Sequence, residues 1–83
     1  MKIASQILWK GENMDFYYFN DNTDIYGNHE VHKESCSFLP SPLNRTYLGH
    51  FEYGYQAMQA AKTKYPYKKF DGCAYCMPAY HTS

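Results

Sequence analysis

Apolar and aromatic residues fall into three short runs before the chain changes its period. Residues 14–19 read MDFYYF, which is typical of a β-strand, and the polar residues 20–24 that follow favour a turn. Residues 27–33 form a second candidate strand, which would pair with the first as an antiparallel hairpin. Residues 46–51 predict a third strand, with a bulge or a close backbone approach at Gly49. These runs predict a small antiparallel sheet of two to three strands.

A change from strand-like to helical spacing predicts one main helix, at about residues 53–65. Its apolar positions are Ala57, Met58, Ala61 and Tyr65. Pro66 disfavours helical geometry at the residue before it, so the helix is expected to end there. A basic loop should follow, and then a tight turn at Asp71-Gly72. One helix with a small sheet makes an α+β fold.

The second candidate strand carries two histidines on opposite faces. Because side chains alternate along a strand, His29 and Val31 are expected on one face and Glu30 and His32 on the other. His32 then lies where the strand ends, just before the first cysteine of the chain. A side chain at the end of a strand can reach residues of the turn that follows it, so His32 and Cys36 are expected to lie close together.

A chain of this size needs a source of stability in addition to its apolar core. With 83 residues, it is near the length at which an apolar core gives only a narrow surplus over chain entropy. Ten tyrosines and five phenylalanines supply much of its hydrophobic content, so an aromatic core is expected. A structural metal contributes about 10–16 kcal/mol of apparent binding energy. We therefore interpret residues 14–83 as a single domain in need of such a stabilising element and residues 1–13 as an N-terminal arm or edge strand.

Charge and hydropathy exclude several classes of protein. Eight basic and eight acidic residues balance, so no overall charge selects a polyanionic partner. The chain has no apolar run long enough to span a membrane, and its first ten residues lack the features of a cleavable signal peptide. We expect a soluble, cytoplasmic protein without a membrane segment.

Cysteine and histidine spacing predicts a metal site. Cys73-x-x-Cys76 supplies two thiolates that one turn can direct at a single ion, and His32-x-x-x-Cys36 can supply two further ligands. An odd number of cysteines argues against a complete disulfide framework. The prediction is a tetrahedral zinc site that joins the end of the second strand to the C-terminal turn. His81, five residues after Cys76, is the alternative to His32 as the fourth ligand.

Four protein ligands leave no place for a water, so the main hypothesis is a non-enzymatic protein with a structural Zn²⁺ ion. The enzyme alternative has three thiolates and a zinc-bound water, with Glu30 or Glu34 as the base. A thiol redox alternative uses the Cys-Ala-Tyr-Cys motif, but that motif lacks the early βαβ setting of thioredoxin-like proteins. His29 and His50 are expected to be solvent-facing or hydrogen-bonded residues of strands.

Two kinds of partner are possible, and the sequence leaves both open. Nucleic-acid binding is suggested by residues 62–70, where lysines alternate with aromatic residues that could stack on bases. The segment contains Lys62, Lys64, Lys68, Lys69, Tyr65, Tyr67 and Phe70. A protein partner is suggested by the many tyrosines, which often anchor interfaces unless they pack in a core. The candidates are Tyr17, Tyr53, Tyr55 and Tyr80.

Four motifs follow one another along residues 31–78. They are His32-x-x-x-Cys36, Tyr47-Leu48-Gly49-x-Phe51, Ala57 with Ala60-Ala61-Lys62, and Asp71-Gly72-Cys73-x-x-Cys76-x-Pro78. In this order they resemble Ada-like zinc-binding modules, which occur in the bacterial Ada DNA-repair protein and attached to some nucleases. The tail at residues 72–83 is also similar to that of small uncharacterised bacterial proteins ending in G-C-x-x-C-x-P-x-x-H-T-S.

The resemblance implies a small α+β fold with zinc held by His32, Cys36, Cys73 and Cys76. The Ada module, however, has four cysteine ligands, and its methyl-accepting thiolate is at the first ligand position. This chain has His32 there. Because a zinc-bound neutral imidazole is no comparable methyl acceptor, the resemblance implies the scaffold and not the repair reaction.

Overall fold

The computed structural model describes residues 14–82, and this part of the chain has an α+β fold, as predicted. Its elements are β1 (Asp15–Asn20), β2 (Asn28–Lys33), β3 (Arg45–Phe51), α1 (Gly54–Lys64) and β4 (Lys69–Gly72). Short 3₁₀ helices lie at Pro42–Asn44 and Pro78–Tyr80. The three strands and the helix predicted from periodicity are present within one or two residues of their expected bounds. The arm or edge strand predicted at residues 1–13 lies outside the described residues.

Within the described residues, four strands form one sheet in the order β3-β1-β2-β4. β1 pairs antiparallel with β2 and β3, whereas β4 pairs parallel with β2. The prediction of two to three antiparallel strands is therefore wrong by one parallel strand. The sequence predicts a basic loop and a tight turn where Lys69–Gly72 forms β4. Such a short segment has no alternation of its own, and its pairing with β2 follows only from the return of the chain through α1.

A bulge interrupts the pairing of β3 with β1. The register shifts between Tyr17 and Tyr18, which makes Leu48 the extra residue on β3. Gly49 has φ of 147°, and a Cβ added there would lie 2.7 Å from the ring of Phe51. Glycine is thus required by both the backbone and the space available. The bulge predicted at this glycine is confirmed.

The core lies between the sheet and α1 and combines two aromatic rings with aliphatic and methionine side chains. It consists of Tyr17, Phe19, Val31, Leu48, Ala57, Met58, Ala61 and Met77. The ring of Phe19 makes edge contacts with Tyr65 and Phe70, at centroid distances of 5.3 and 5.1 Å. Tyr17 is buried and Tyr80 packs against the core, so these two tyrosines are not the exposed interface anchors considered from the sequence.

Tyr53 and Tyr55, the other two candidates, are half exposed and stack on each other with centroids 5.7 Å apart. They flank the start of α1, which has 11 residues. The exposed tyrosine pair therefore lies at the N-terminal end of a short helix.

Between residues 14 and 82, the structure has no helix long and apolar enough to cross a membrane.

Candidate metal centre

Two parallel strands bring distant parts of the chain to the same edge of the sheet. β2 ends at Lys33, and the turn that follows it leads to Cys36. β4 ends at Gly72, which pairs with Val31, and the next backbone N–H, that of Cys73, donates to the Val31 carbonyl at 3.0 Å. Because parallel strands end at the same edge, the residues after β2 and β4 are neighbours.

Four potential metal donors meet at this edge. A ring nitrogen of His32 and the sulfurs of Cys36, Cys73 and Cys76 all lie within 4.8 Å of one another. The sulfurs of Cys36 and Cys73 are 3.8 Å apart. Two thiolates bound at about 2.3 Å to a tetrahedral zinc are separated by about 3.8 Å. The spacing of these two sulfurs therefore matches that of a tetrahedral zinc site.

Each of the three sulfurs accepts a hydrogen bond from a backbone N–H. The donors are Phe38 to Cys36, Tyr75 to Cys73 and Lys33 to Cys76, each with 3.4 Å between nitrogen and sulfur. Hydrogen bonds to the charged form of an acid favour that form, and the Lys33 N–H accordingly acts to lower the pKa of Cys76. Cys73 is buried and the other two cysteines are half-buried. Backbone N–H groups are thus directed at all three sulfurs of the cluster.

The His32 ring is almost fully buried, and its two nitrogens have different surroundings. Nε2 lies 3.7 Å from Oε1 of Glu30. Nδ1 is buried and has no hydrogen-bond partner within residues 14–82. Leaving such an atom unsatisfied costs about 1–3 kcal/mol, which metal coordination would remove. Burial also lowers the pKa of His32, so the ring is neutral at pH 7 and carries a free lone pair.

The Cys76 thiol resists ionisation when the cluster holds no cation. Burial raises the pKa of the Cys76 thiol to about 12, and the nearby Cys36 and Cys73 act in the same direction, although the Lys33 N–H opposes them. Several thiolates this close together repel one another. A divalent cation would offset that repulsion, and the protons of the thiols would leave when it binds.

The alternative fourth ligand, His81, lies outside this cluster of donor atoms. Its Nδ1 is 3.0 Å from the carbonyl oxygen of Gly72 and 3.3 Å from Oδ2 of Asp71. Thr82 donates to the other oxygen of the buried Asp71 through both its backbone N–H and its hydroxyl, at 2.7 and 3.0 Å. A Cβ added at Gly72 would lie 2.8 Å from Cβ of Tyr80. His81 thus helps to hold the C-terminal tail against β4.

The other two histidines make contacts within the sheet. His29 is buried, with Nδ1 2.8 Å from the carbonyl oxygen of Asn20 and its ring against Phe70. His50 is exposed and stacks on Phe16, with ring centroids 4.3 Å apart. Both arrangements agree with the expectation of hydrogen-bonded or solvent-facing strand residues.

The basic segment 62–70 divides between the surface and the core. Tyr65 and Phe70 are half-buried and pack against a core phenylalanine, so these rings are not free to stack on bases. Tyr67 is exposed, and Nζ of Lys68 lies 5.6 Å from the centre of its ring. The exposed lysines of the segment are Lys62, Lys64 and Lys69. Of the proposed stacking residues, only Tyr67 keeps an open face.

Two aromatic residues beside the donors were not identified from the sequence. Phe38 and Tyr75 stack at a centroid distance of 4.3 Å and link the two turns that carry the cysteines. Each follows a cysteine by two residues, Cys36 or Cys73, and each donates its backbone N–H to that cysteine. The repeated cysteine-x-aromatic pattern is a signal that a closer comparison of the two turns could have found.

Glu34, one of two carboxylates considered as a base, is exposed and accepts a hydrogen bond from the hydroxyl of Tyr18 at 3.4 Å.

Comparison of the chain with protein-family models, with curated proteins and with solved structures gives no match. The resemblance to Ada-like modules therefore depends on sequence motifs alone. A function has to be argued from the geometry of the donors.

Proposed function

We propose that this chain is a small non-enzymatic zinc-binding protein, in which a structural Zn²⁺ ion joins the turn after β2 to the turn after β4. The observation that supports it is the cluster of His32, Cys36, Cys73 and Cys76, whose donor atoms lie within 4.8 Å of one another. A buried Nδ1 without a partner in residues 14–82 and a sulfur pair at 3.8 Å fit the same interpretation.

The donor set favours zinc over other common metals. Three thiolates and an imidazole are ligands typical of structural zinc sites, whereas calcium and magnesium need oxygen ligands. All four tetrahedral positions would be filled by protein, which leaves none for a reactive water. The ion would therefore be structural, since it would hold the turn after β2 against the turn after β4.

An Ada-like scaffold is part of this proposal. It is supported by the order of the four ligands along the chain and by the helix that separates the two ligand pairs. His32 at the first ligand position makes phosphotriester repair an unsuitable function for this chain. The biological role then has to come from a surface of the domain and not from a reactive thiolate.

Metal analysis tests the proposal directly. The full chain, purified from cells under reducing conditions, is expected to contain one zinc ion per chain. Cobalt substitution should give the visible absorption of a tetrahedral site rich in thiolates. Protein whose cysteines have been alkylated serves as the control and should bind neither metal. Reduced, unmodified protein that takes up no zinc would contradict the proposal.

Zinc affinity is expected to rise with pH. Because burial holds the pKa of Cys76 at about 12, this thiol is protonated at neutral pH and must release a proton when zinc binds. Each proton released changes the apparent affinity about tenfold per pH unit. The lowered pKa of His32 keeps its ring neutral near pH 7, so the dependence there comes from thiols.

Competition with a chelator of known affinity at several pH values measures this dependence. The slope of the logarithm of the dissociation constant against pH should lie between about −1 and −3, for one to three thiol protons released. A slope of zero near neutral pH would mean that the thiols do not bind as thiolates.

A further inference from the structure

Glu30 and His32 are two residues apart on β2 and therefore share a face of the strand. Oε1 of Glu30 lies 3.7 Å from Nε2 of His32, and the Glu30 side chain is only one-third exposed. The carboxylate is thus directed at one nitrogen of the ring.

The second ring nitrogen has the opposite character. A neutral imidazole carries one N–H and one lone pair. Nε2 lies 3.7 Å from a carboxylate oxygen, which is longer than a hydrogen bond, but the negative charge still favours the proton on this nitrogen, whereas Nδ1 is buried without a hydrogen-bond partner in the described residues. The lone pair then lies on Nδ1. This arrangement selects one of the two tautomers of His32.

We infer that Glu30 is a positioning residue of the metal centre, whose carboxylate holds the proton on Nε2 of His32 and makes Nδ1 the zinc-binding atom. The inference rests on the proposed zinc site and adds to it a fifth residue that does not touch the ion. A carboxylate that accepts the N–H of a ligating imidazole fixes the orientation of the ring and raises its basicity. Loss of such a partner typically costs about 10–100-fold in metal affinity.

Glu34 provides a matched control on the same strand exit. It is also two residues from His32 and carries the same charge, but its carboxylate accepts from the Tyr18 hydroxyl. Glu30→Ala is expected to weaken zinc binding about 10–100-fold. Glu30→Gln keeps an acceptor oxygen and should recover part of that loss, whereas Glu34→Ala should bind zinc like the unaltered chain. Equal affinities for Glu30→Ala and Glu34→Ala would overturn the inference.

Nitrogen NMR of the zinc-loaded full chain, labelled in its histidines, gives a readout that simple destabilisation does not imitate. The unaltered chain should show His32 with Nδ1 on the metal and a proton on Nε2. Coordination through Nε2 would overturn the role of Glu30 while leaving the zinc site intact. If the unaltered chain binds no zinc at all, the proposed function itself fails, so the two failures are distinguishable.

Discussion

Removal of zinc by a strong chelator is expected to unfold the chain at room temperature. Small domains have a total stability of about 5–15 kcal/mol, and structural zinc contributes about 10–16 kcal/mol of apparent binding energy. The core has few large aliphatic side chains, and three of its eight buried members are alanine or valine residues. Without the ion, clustered thiols and a buried imidazole nitrogen would remain at the junction of β2 and β4. The metal-free chain therefore loses the zinc–ligand bonds, and no other interaction in the described residues replaces them.

The unfolding should appear as loss of near-ultraviolet circular dichroism from the aromatic core and collapse of dispersion in the amide NMR spectrum. Addition of one equivalent of zinc after the chelator is removed should restore both signals. The same chelator saturated with zinc is the control, since it cannot extract the ion. A dispersed spectrum that survives chelation and cysteine alkylation would mean that the core alone stabilises the fold.

Local patterns were sufficient to predict the elements whose signal lies in their own residues. β1 and β2 are short aromatic or alternating runs around a polar turn, and α1 has an apolar stripe that ends before Pro66. β4 has no such signal, because its four residues become a strand only through pairing with β2. Sequence periodicity reports burial along one segment, and it does not report which distant segment lies beside it.

The sequence predicted the residue types of the candidate site, but it did not determine which histidine is the fourth ligand. The spacing of Cys36, Cys73 and Cys76 with a histidine suggested four ligands, but His32 and His81 were both within reach in sequence terms. The parallel pairing of β2 with β4 places His32 at the cysteines and turns His81 toward Gly72. That choice depends on the strand missing from the sequence prediction.

The missing strand also explains why the role of Glu30 was not predicted. From the sequence, this carboxylate was a candidate base for a zinc-bound water. In the structure it faces Nε2 of His32, while the register pairs it with Asp71 on β4. Its position suits a partner of a ligand better than a base beside an open coordination site. The distinction requires knowing which ring nitrogen is free.

His32→Ala and His81→Ala are expected to separate two histidines that the sequence could not distinguish. Loss of one of four ligands from a site of about 10–16 kcal/mol corresponds to about 3 kcal/mol, or more than a hundredfold in zinc affinity. His32→Ala should show this loss. His81→Ala should keep the affinity but lower the stability of the zinc-bound chain by about 1–3 kcal/mol, because buried Asp71 loses a partner.

Zinc competition and thermal unfolding of the zinc-bound chains measure the two effects separately. His32→Cys is the rescue variant: a thiolate at the first position should restore tight binding, with the cobalt spectrum of a four-thiolate site. This comparison distinguishes lost ligation from a damaged core, since both His32 variants remove the same buried ring. Full zinc affinity in His32→Ala would instead favour three thiolates with a water on the metal, the geometry of the enzyme alternative. Loss of zinc in His81→Ala alone would make His81 the ligand and require the C-terminal tail to leave β4.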